Sequence, residues 1–177
     1  MSEDTIFENG QPQLPRALAA FQAENEARIG EVHRRDLGIV DARLIGRYAL
    51  AIGDANPIYY DAEAARQAGF DDVVAPPNLL AGIVDWSIGR PETALRPDGT
   101  PGERALEGLK VMGAGESMEI FRPVTAGMAV SEEEAVEAVS VKQGRQGPLV
   151  FVTSRHDFFD QDGRALSRNR RTILARA

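Results

Sequence analysis

The sequence contains no cysteine and only two histidines, His33 and His156, among its 177 residues. A chain without cysteine forms no disulfide and no thiolate metal site, and two histidines cannot build a histidine-rich metal cage. We therefore predict that the protein binds no metal ion and depends on no cofactor.

The sequence also lacks a long apolar run near its start and an excess of basic residues. Residues 1–28 are polar and rich in glutamate and glutamine, so we predict neither a signal peptide nor a membrane span. A cytoplasmic location is the simplest interpretation. The net charge of -7 and the pI near 4.9 argue against nucleic-acid binding, which requires a basic surface that displaces counterions. The arginines of the C-terminal SRNRRTILARA are a local exception.

Length and hydrophobic content are those of a single domain. A chain of 177 residues with 43% hydrophobic content can bury one core without disulfides or metals. We interpret residues 1–27 as a polar N-terminal extension and residues 28–177 as the domain. Stretches dense in proline and glycine at 9–15 and 90–103 predict loops, and the second loop joins a helical half to a strand half.

The helical half contains three predicted helices. Asp41 caps the first, which ends at Gly53. Its apolar face comprises Leu44, Ile45, Tyr48, Ala49 and Ile52. Asp61 caps the second, a short helix that ends at Gly69. The third begins near Asn78, and its run NLLAGIVDWSIG is apolar nearly all round, as in a helix wrapped by other structure.

In the second half the hydrophobic period changes to two. The strand-like stretches are ALEGLKVM, ESMEIFRPV, PLVFVTSRHDFF and RALSRNRRTILA. Asp162-Gly163 within DQDG predicts a hairpin, because glycine tolerates the positive φ of the turn. SEEEAVEAVSVKQ has the composition of a helix, but its place between turn signals favours a strand. One central apolar helix followed by an antiparallel sheet is an α+β arrangement.

The segment GDANPIYYDAEAARQAGF resembles the signature of the MaoC-like (R)-specific enoyl-CoA hydratases, Asp-x-Asn-Pro-x-His-x-Asp, with Tyr59 in place of the histidine. The family's Ala-His-Gly-Met stretch corresponds here to Ala75, Pro76, Pro77 and Asn78. These changes, together with FRPVTAG and DQDG, resemble the MaoC dehydratase N-terminal group, also called FAS1-like dehydratases, over residues 28–175.

The resemblance implies a hot-dog fold, in which an antiparallel sheet wraps a long central helix. It also implies a site for the reversible syn addition of water to a trans-2-enoyl thioester, in which an aspartate and a histidine activate one water. Asp54 and Tyr59 occupy those two positions. A phenol with a pKa of about 10 is a poor general base at neutral pH, so we expect most proton transfer to be lost.

A second catalytic element is also missing. In the family, a backbone N–H at the start of the central helix binds the developing enolate oxygen, and the glycine that provides it corresponds to Pro77, which has no N–H. Gly82 stands where some hydratases carry a serine, and we expect the glycine to widen the pocket. The substrate-binding positions implied by the resemblance are Asn56, Pro57, Tyr60, Pro76, Pro77, Asn78 and Gly82.

Structural interpretations of the same residues stay open. Asp54 and Asn56 suit a turn with or without catalysis, and Tyr59 and Tyr60 either line an acyl tunnel or pack in the core. His156 shares a strand face with apolar residues, which favours a hydrogen-bonded sheet histidine over a replacement base. A solvated strand face is favoured over contact with CoA phosphates for Arg164, Arg168, Arg170 and Arg171.

Three functions follow from these positions. We favour an accessory subunit that accommodates the acyl chain in a heteromeric (R)-specific enoyl-CoA hydratase or 3-hydroxyacyl thioester dehydratase. A MaoC-like partner chain then supplies the Asp/His pair in a heterodimer or heterotetramer. The first alternative is a self-sufficient homodimeric hydratase that uses Asp54 and Tyr59, which requires a strongly perturbed Tyr59. The second is a non-catalytic module that binds acyl thioesters.

Overall fold

The computed structural model describes residues 7–8, 11–83 and 108–177. In chain order the elements are β1 (Phe7–Glu8), β2 (Gln11–Pro12), α1 (Arg16–Ala27), β3 (Val32–Ile39), α2 (Ala42–Ala51), a 3₁₀ helix (Pro57–Tyr59), α3 (Ala62–Gln67), α4 (Leu79–Gly82), β4 (Lys110–Ile120), β5 (Ala129–Gly144), β6 (Gly147–Phe159) and β7 (Ala165–Arg176). The loop predicted at 90–103 lies outside the described residues.

The two helices predicted from capping residues are confirmed. Asp41 Oδ1 accepts from the Leu44 N–H at 2.7 Å at the start of α2, and Asp61 Oδ1 accepts from the Glu63 N–H at 2.8 Å at the start of α3. Each helix is followed closely by a glycine with positive φ, Gly53 and Gly69, a backbone conformation that only glycine adopts at little cost.

The third predicted helix begins at the expected place. Asn78 is the N-cap residue of α4, and Leu79 and Leu80 at its start are buried. The predicted continuation of this helix beyond residue 83 lies outside the described residues.

The strands form an antiparallel sheet in the order β3-β5-β6-β7-β4, with β3 and β4 at its edges. The ambiguous segment after residue 130 is the strand β5, as predicted, and DQDG forms the β6–β7 hairpin with Gly163 at φ 74°. Two predictions need correction. ALEGLKVM and ESMEIFRPV are not separate strands, because β4 runs without interruption through Gly113 and Gly115 with one register shift. The edge strand β3 was not predicted.

Two buried clusters hold the sheet to the helices. The larger contains Ile45 of α2, Leu79 of α4 and Phe158 of β6, among others. The smaller lies beneath α1, where Leu18 and Phe21 pack with apolar residues of β5, β6 and β7. Helix α1 thus falls within the stretch that we interpret as an N-terminal extension and covers one end of the sheet.

Candidate functional site

The signature segment forms a turn between α2 and α3 whose side chains bond to its own backbone. The Asp54 N–H donates to Ala49 O at 2.9 Å, and Asp54 Oδ1 accepts from the Asn56 N–H at 3.0 Å. Asn56 Oδ1 accepts from the Ile58 N–H at 3.3 Å, and Tyr60 Oη donates to Asp54 O at 2.7 Å. These bonds are the turn chemistry offered by the structural interpretation of Asp54 and Asn56.

Tyr59, at the histidine position of the signature, is buried with only 8% of its surface exposed. It ends the 3₁₀ helix that Pro57 begins. Burial raises the pKa of the Tyr59 phenol above its ordinary value, and the nearby Asp54 carboxylate raises it further. The phenolate form is therefore scarcer at neutral pH than in a free tyrosine, so less of it is available to act as a general base.

A cavity of about 320 Å³ opens beside this tyrosine. Its walls are mostly apolar and come from the signature turn, the entry to α4 and the end of β4. Of the predicted site residues, Tyr59, Pro76 and Pro77 line it. The other predicted positions among the residues described do not contribute to its lining: Asp54, Asn56, Pro57, Tyr60, Asn78 and Gly82.

The backbone at the entry to α4 offers few free donors. The Ala75 N–H donates to Val124 O at 2.7 Å and the Leu79 N–H donates to Pro76 O at 2.9 Å, while Pro76 and Pro77 have no N–H. In the described part of the chain, no hydrogen-bond acceptor is found for the N–H of Asn78. An oxyanion donor at Pro77 itself is excluded by its chemistry.

The space beside Gly82 is filled by Tyr48 of α2. A Cβ built on Gly82 would lie 3.0 Å from Cε2 and Cζ of the Tyr48 ring and closer still to its hydroxyl, which donates to Asn78 O at 3.2 Å. Burial raises the pKa of the Tyr48 phenol, and the carboxylate of Glu116 adds to this. The expectation that Gly82 widens the pocket is therefore wrong on the side where its Cβ would point, because Tyr48, thirty-four positions earlier in the chain, occupies that space.

One face of the sheet carries a row of polar side chains, one from each strand, which we call the transverse row: Arg35, Glu132, His156, Asn169 and Glu116. Arg35 Nε donates to Glu132 Oε2, and His156 Nδ1 lies 2.7 Å from Glu132 Oε1. A carboxylate only accepts, so the His156 Nδ1 carries the proton. Asn169 Nδ2 donates to Glu116 Oε1 at 2.5 Å.

Glu132 is the most deeply buried charge of this row, with 2% of its surface exposed. Burial alone would raise the pKa of its carboxyl, but hydrogen bonds from His156 and Arg35 outweigh that effect, and the pKa lies below its usual range. His156 does not line the cavity beside Tyr59. The row therefore agrees with the interpretation of His156 as a hydrogen-bonded sheet histidine.

The C-terminal arginines that we weighed as phosphate ligands are all paired within the chain. Arg168 bonds to Asp157 at 2.5 Å, and Arg170 bonds to Glu137 at 3.0 Å. The remaining two pairs are Arg171 with Glu116 and Arg164 with Asp162, both at 3.0 Å. These guanidinium groups already have carboxylate partners, which supports the interpretation as strand-face residues.

The family model of the FAS1-like dehydratase domain region matches residues 27–168. The chain belongs to this family. A UPF0336 protein of Streptomyces griseus subsp. griseus is 32% identical over 133 residues, which cover 75% of this chain and 81% of the relative. A probable enoyl-CoA hydratase alpha subunit of Thermomonospora curvata is 28% identical over 152 residues, 80% of this chain and 46% of the relative. The resemblance proposed from the two sequence blocks is confirmed.

Among solved structures, the ChsH1-ChsH2 complex of Mycobacterium tuberculosis contains a similar chain. The TM-score is 0.67 at 24% identity, over 89% of each chain. This likeness concerns the fold alone, and the predicted hot-dog fold of the MaoC-like dehydratases is confirmed. Within the described residues, no helix of this protein is long and apolar enough to span a membrane.

Proposed function

We propose that this member of the FAS1-like dehydratase family is the subunit that accommodates the acyl chain in a heteromeric (R)-specific enoyl-CoA hydratase or 3-hydroxyacyl thioester dehydratase. The observation that carries the proposal is the state of Tyr59. It occupies the position of the base, lines an apolar cavity, and has a pKa shifted upward, away from the range useful for proton abstraction. A self-sufficient hydratase would need the opposite shift.

The cavity suits the acyl part of the substrate. Its volume of about 320 Å³ lies near the lower end of the range for small-molecule sites. Phe70, Leu80 and Val124 contribute apolar walls, and two prolines replace the backbone donors at the entry to α4. A wall without a base, and with a proline at the position of the oxyanion donor, binds a chain rather than transforming a thioester.

A partner chain would supply the missing Asp/His pair, and edge strand β4 offers a place for it. The strand is 11 residues long, and Val111, Met112 and Ile120 on it are exposed hydrophobic residues. Among the described strands, only β7 pairs with β4, so its other edge is unpaired there. A long edge with exposed apolar side chains is a template for pairing with another sheet. The relative named as an alpha subunit and the ChsH1-ChsH2 complex support a heteromeric assembly.

The test is hydration of crotonyl-CoA and longer enoyl-CoA thioesters by the purified chain, alone and mixed with a MaoC-like chain of the same organism that carries the intact Asp/His signature. We expect turnover only in the mixture, together with a complex in size-exclusion chromatography. Alanine at the partner's signature histidine should abolish that turnover. Turnover by this chain alone, removed by Asp54→Asn, would refute the accessory role and favour the self-sufficient hydratase.

A further inference from the structure

The cavity beside Tyr59 has a single charged side chain among its described lining residues, Arg122. The remaining walls are apolar apart from the hydroxyls of Tyr59 and Ser167. Arg122 is exposed, so it lies at the open side of the cavity rather than in its depth. The cavity therefore combines an apolar interior with one cation at its mouth.

The guanidinium group of Arg122 has no carboxylate partner among the residues that the structure describes. In this it differs from Arg168, Arg170 and Arg171 on the nearby strand β7, each of which is paired with an acidic residue. The chain as a whole carries a net charge of -7, so a cation that no described carboxylate neutralises is a local reversal of the protein's charge beside the apolar cavity.

The backbone that carries Arg122 is held in place at several points. The N–H groups of Phe121 and Arg122 both donate to Leu166 O, at 2.9 and 3.1 Å. Pro123 follows and disfavours the helical conformation at Arg122. One residue further on, Val124 O accepts from the backbone at the entry to α4 at 2.7 Å. Because this backbone is already fixed, only the side chain of Arg122 has to be ordered when it binds an anion.

We propose that Arg122 binds the anionic group of an amphipathic ligand whose apolar chain fills the cavity. A guanidinium group binds phosphate and carboxylate oxygens through paired N–H donors, and an unpaired one loses no existing ion pair on binding. The inference rests on the proposed function, because it names the charged end of the acyl ligand. Two sources share this chemistry: a phosphate on the thioester side, and a carboxylate at the far end of the acyl chain.

Three probes distinguish these sources when their Kd values for the full-length chain are measured by titration calorimetry. Decanoyl-CoA carries phosphates on the thioester side, decanoyl-pantetheine carries no charge, and the pantetheine monothioester of decanedioic acid carries only a terminal carboxylate. The variants are Arg122→Ala and Arg122→Lys. Arg145→Ala is the matched control, because Arg145 is an exposed arginine of the β5–β6 turn that does not line the cavity.

We expect Arg122→Ala to weaken one of the two anionic probes by about 10- to 150-fold, the range for a charge-assisted hydrogen bond, and to leave decanoyl-pantetheine unchanged. The probe that weakens identifies the source of the anion. For that probe, the Kd of Arg122→Lys should lie between those of wild type and Arg122→Ala, and the Kd of Arg145→Ala should match that of wild type. Rising salt should weaken only the affected probe.

The inference is overturned if Arg122→Ala leaves both anionic probes unchanged, or if it weakens the uncharged probe equally. Wild-type chain that binds none of the probes would overturn it as well. The proposed function fails separately, in the mixing assay, because turnover by the chain alone does not depend on which residue binds the anion.

Discussion

The contact between Gly82 of α4 and Tyr48 of α2 can be tested directly by substitution. Gly82→Ala adds one methyl group where the Tyr48 ring already lies, with Cε2 and Cζ each 3.0 Å from the new Cβ and the hydroxyl closer. The ring must then rotate outward, and its hydrogen bond to Asn78 O is lost.

The expected magnitude combines opposing effects. Overpacking costs about 1–3 kcal/mol and loss of the hydrogen bond about 0.5–1.5 kcal/mol, while alanine gains up to about 1 kcal/mol over glycine in a helix. We expect Gly82→Ala to lower the free energy of unfolding by about 1–3 kcal/mol. In a Tyr48→Leu background the same change should be neutral or slightly stabilising, so the coupling energy should be at least about 1 kcal/mol.

Urea unfolding of the four chains in this cycle, analysed by linear extrapolation, measures the coupling. Gly46→Ala is the matched control, since Gly46 lies inside α2 and its added Cβ would make only ordinary contact, 3.6 Å from the Tyr60 ring. That variant should be more stable than wild type. If Gly82→Ala is stabilised to the same extent, or couples to Tyr48 by less than about 0.5 kcal/mol, the packing argument is refuted.

Three further predictions concern charge, catalysis and the N-terminal helix. The hydrogen bonds of Glu132 lower the pKa of its carboxyl in the folded state. Its contribution to stability is therefore complete at neutral pH and is lost as the pH falls below about 4.3. In urea unfolding, wild type should lose stability more steeply in acid than Glu132→Gln. Tyr59→His restores the general base, worth about 100- to 10,000-fold in rate, and Pro77→Gly restores the oxyanion donor, worth about 100- to 1,000-fold. Only the double variant should hydrate crotonyl-CoA clearly above background in a spectrophotometric assay. Equal activity of the single and double variants would contradict this. Leu18→Ala should lower the free energy of unfolding by about 2–5 kcal/mol, because Leu18 is fully buried on the sheet, and a loss below about 1 kcal/mol would mean that α1 unfolds separately.

The elements that could be predicted are those with local signals. Asp41 and Asp61 mark helix starts through their own side chains, and Asp162-Gly163 marks a hairpin through its backbone preference. Strand β3 has no such signal, because VHRRDLGI is mostly polar and does not alternate. It forms through pairing with β5, where Arg34 and Arg35 face acidic partners 97 to 99 residues away.

The residues of the candidate site also divide into those with a local sequence signal and those without one. Tyr59, Pro76 and Pro77 could be placed at a cavity from the family signature, because the signature fixes their local geometry. The filling of the Gly82 space by Tyr48 and the place of Arg122 at the cavity depend on contacts between distant segments, and no local pattern encodes them. FRPV is visible in the sequence as part of the family pattern, but only the fold shows that this segment lines the cavity.

The transverse row also determines which strand alignments are possible. Side chains alternate between the two faces of a strand, so a slip of one residue in β6 would turn His156 to the opposite face and leave the buried Glu132 without one of its donors. A buried carboxylate that loses a partner costs several kcal/mol, more than the loss of a single apolar contact. A sheet with β5 and β6 misaligned is therefore penalised by the unpaired buried charge as well as by lost apolar contacts, and the row favours a single register of the central strands.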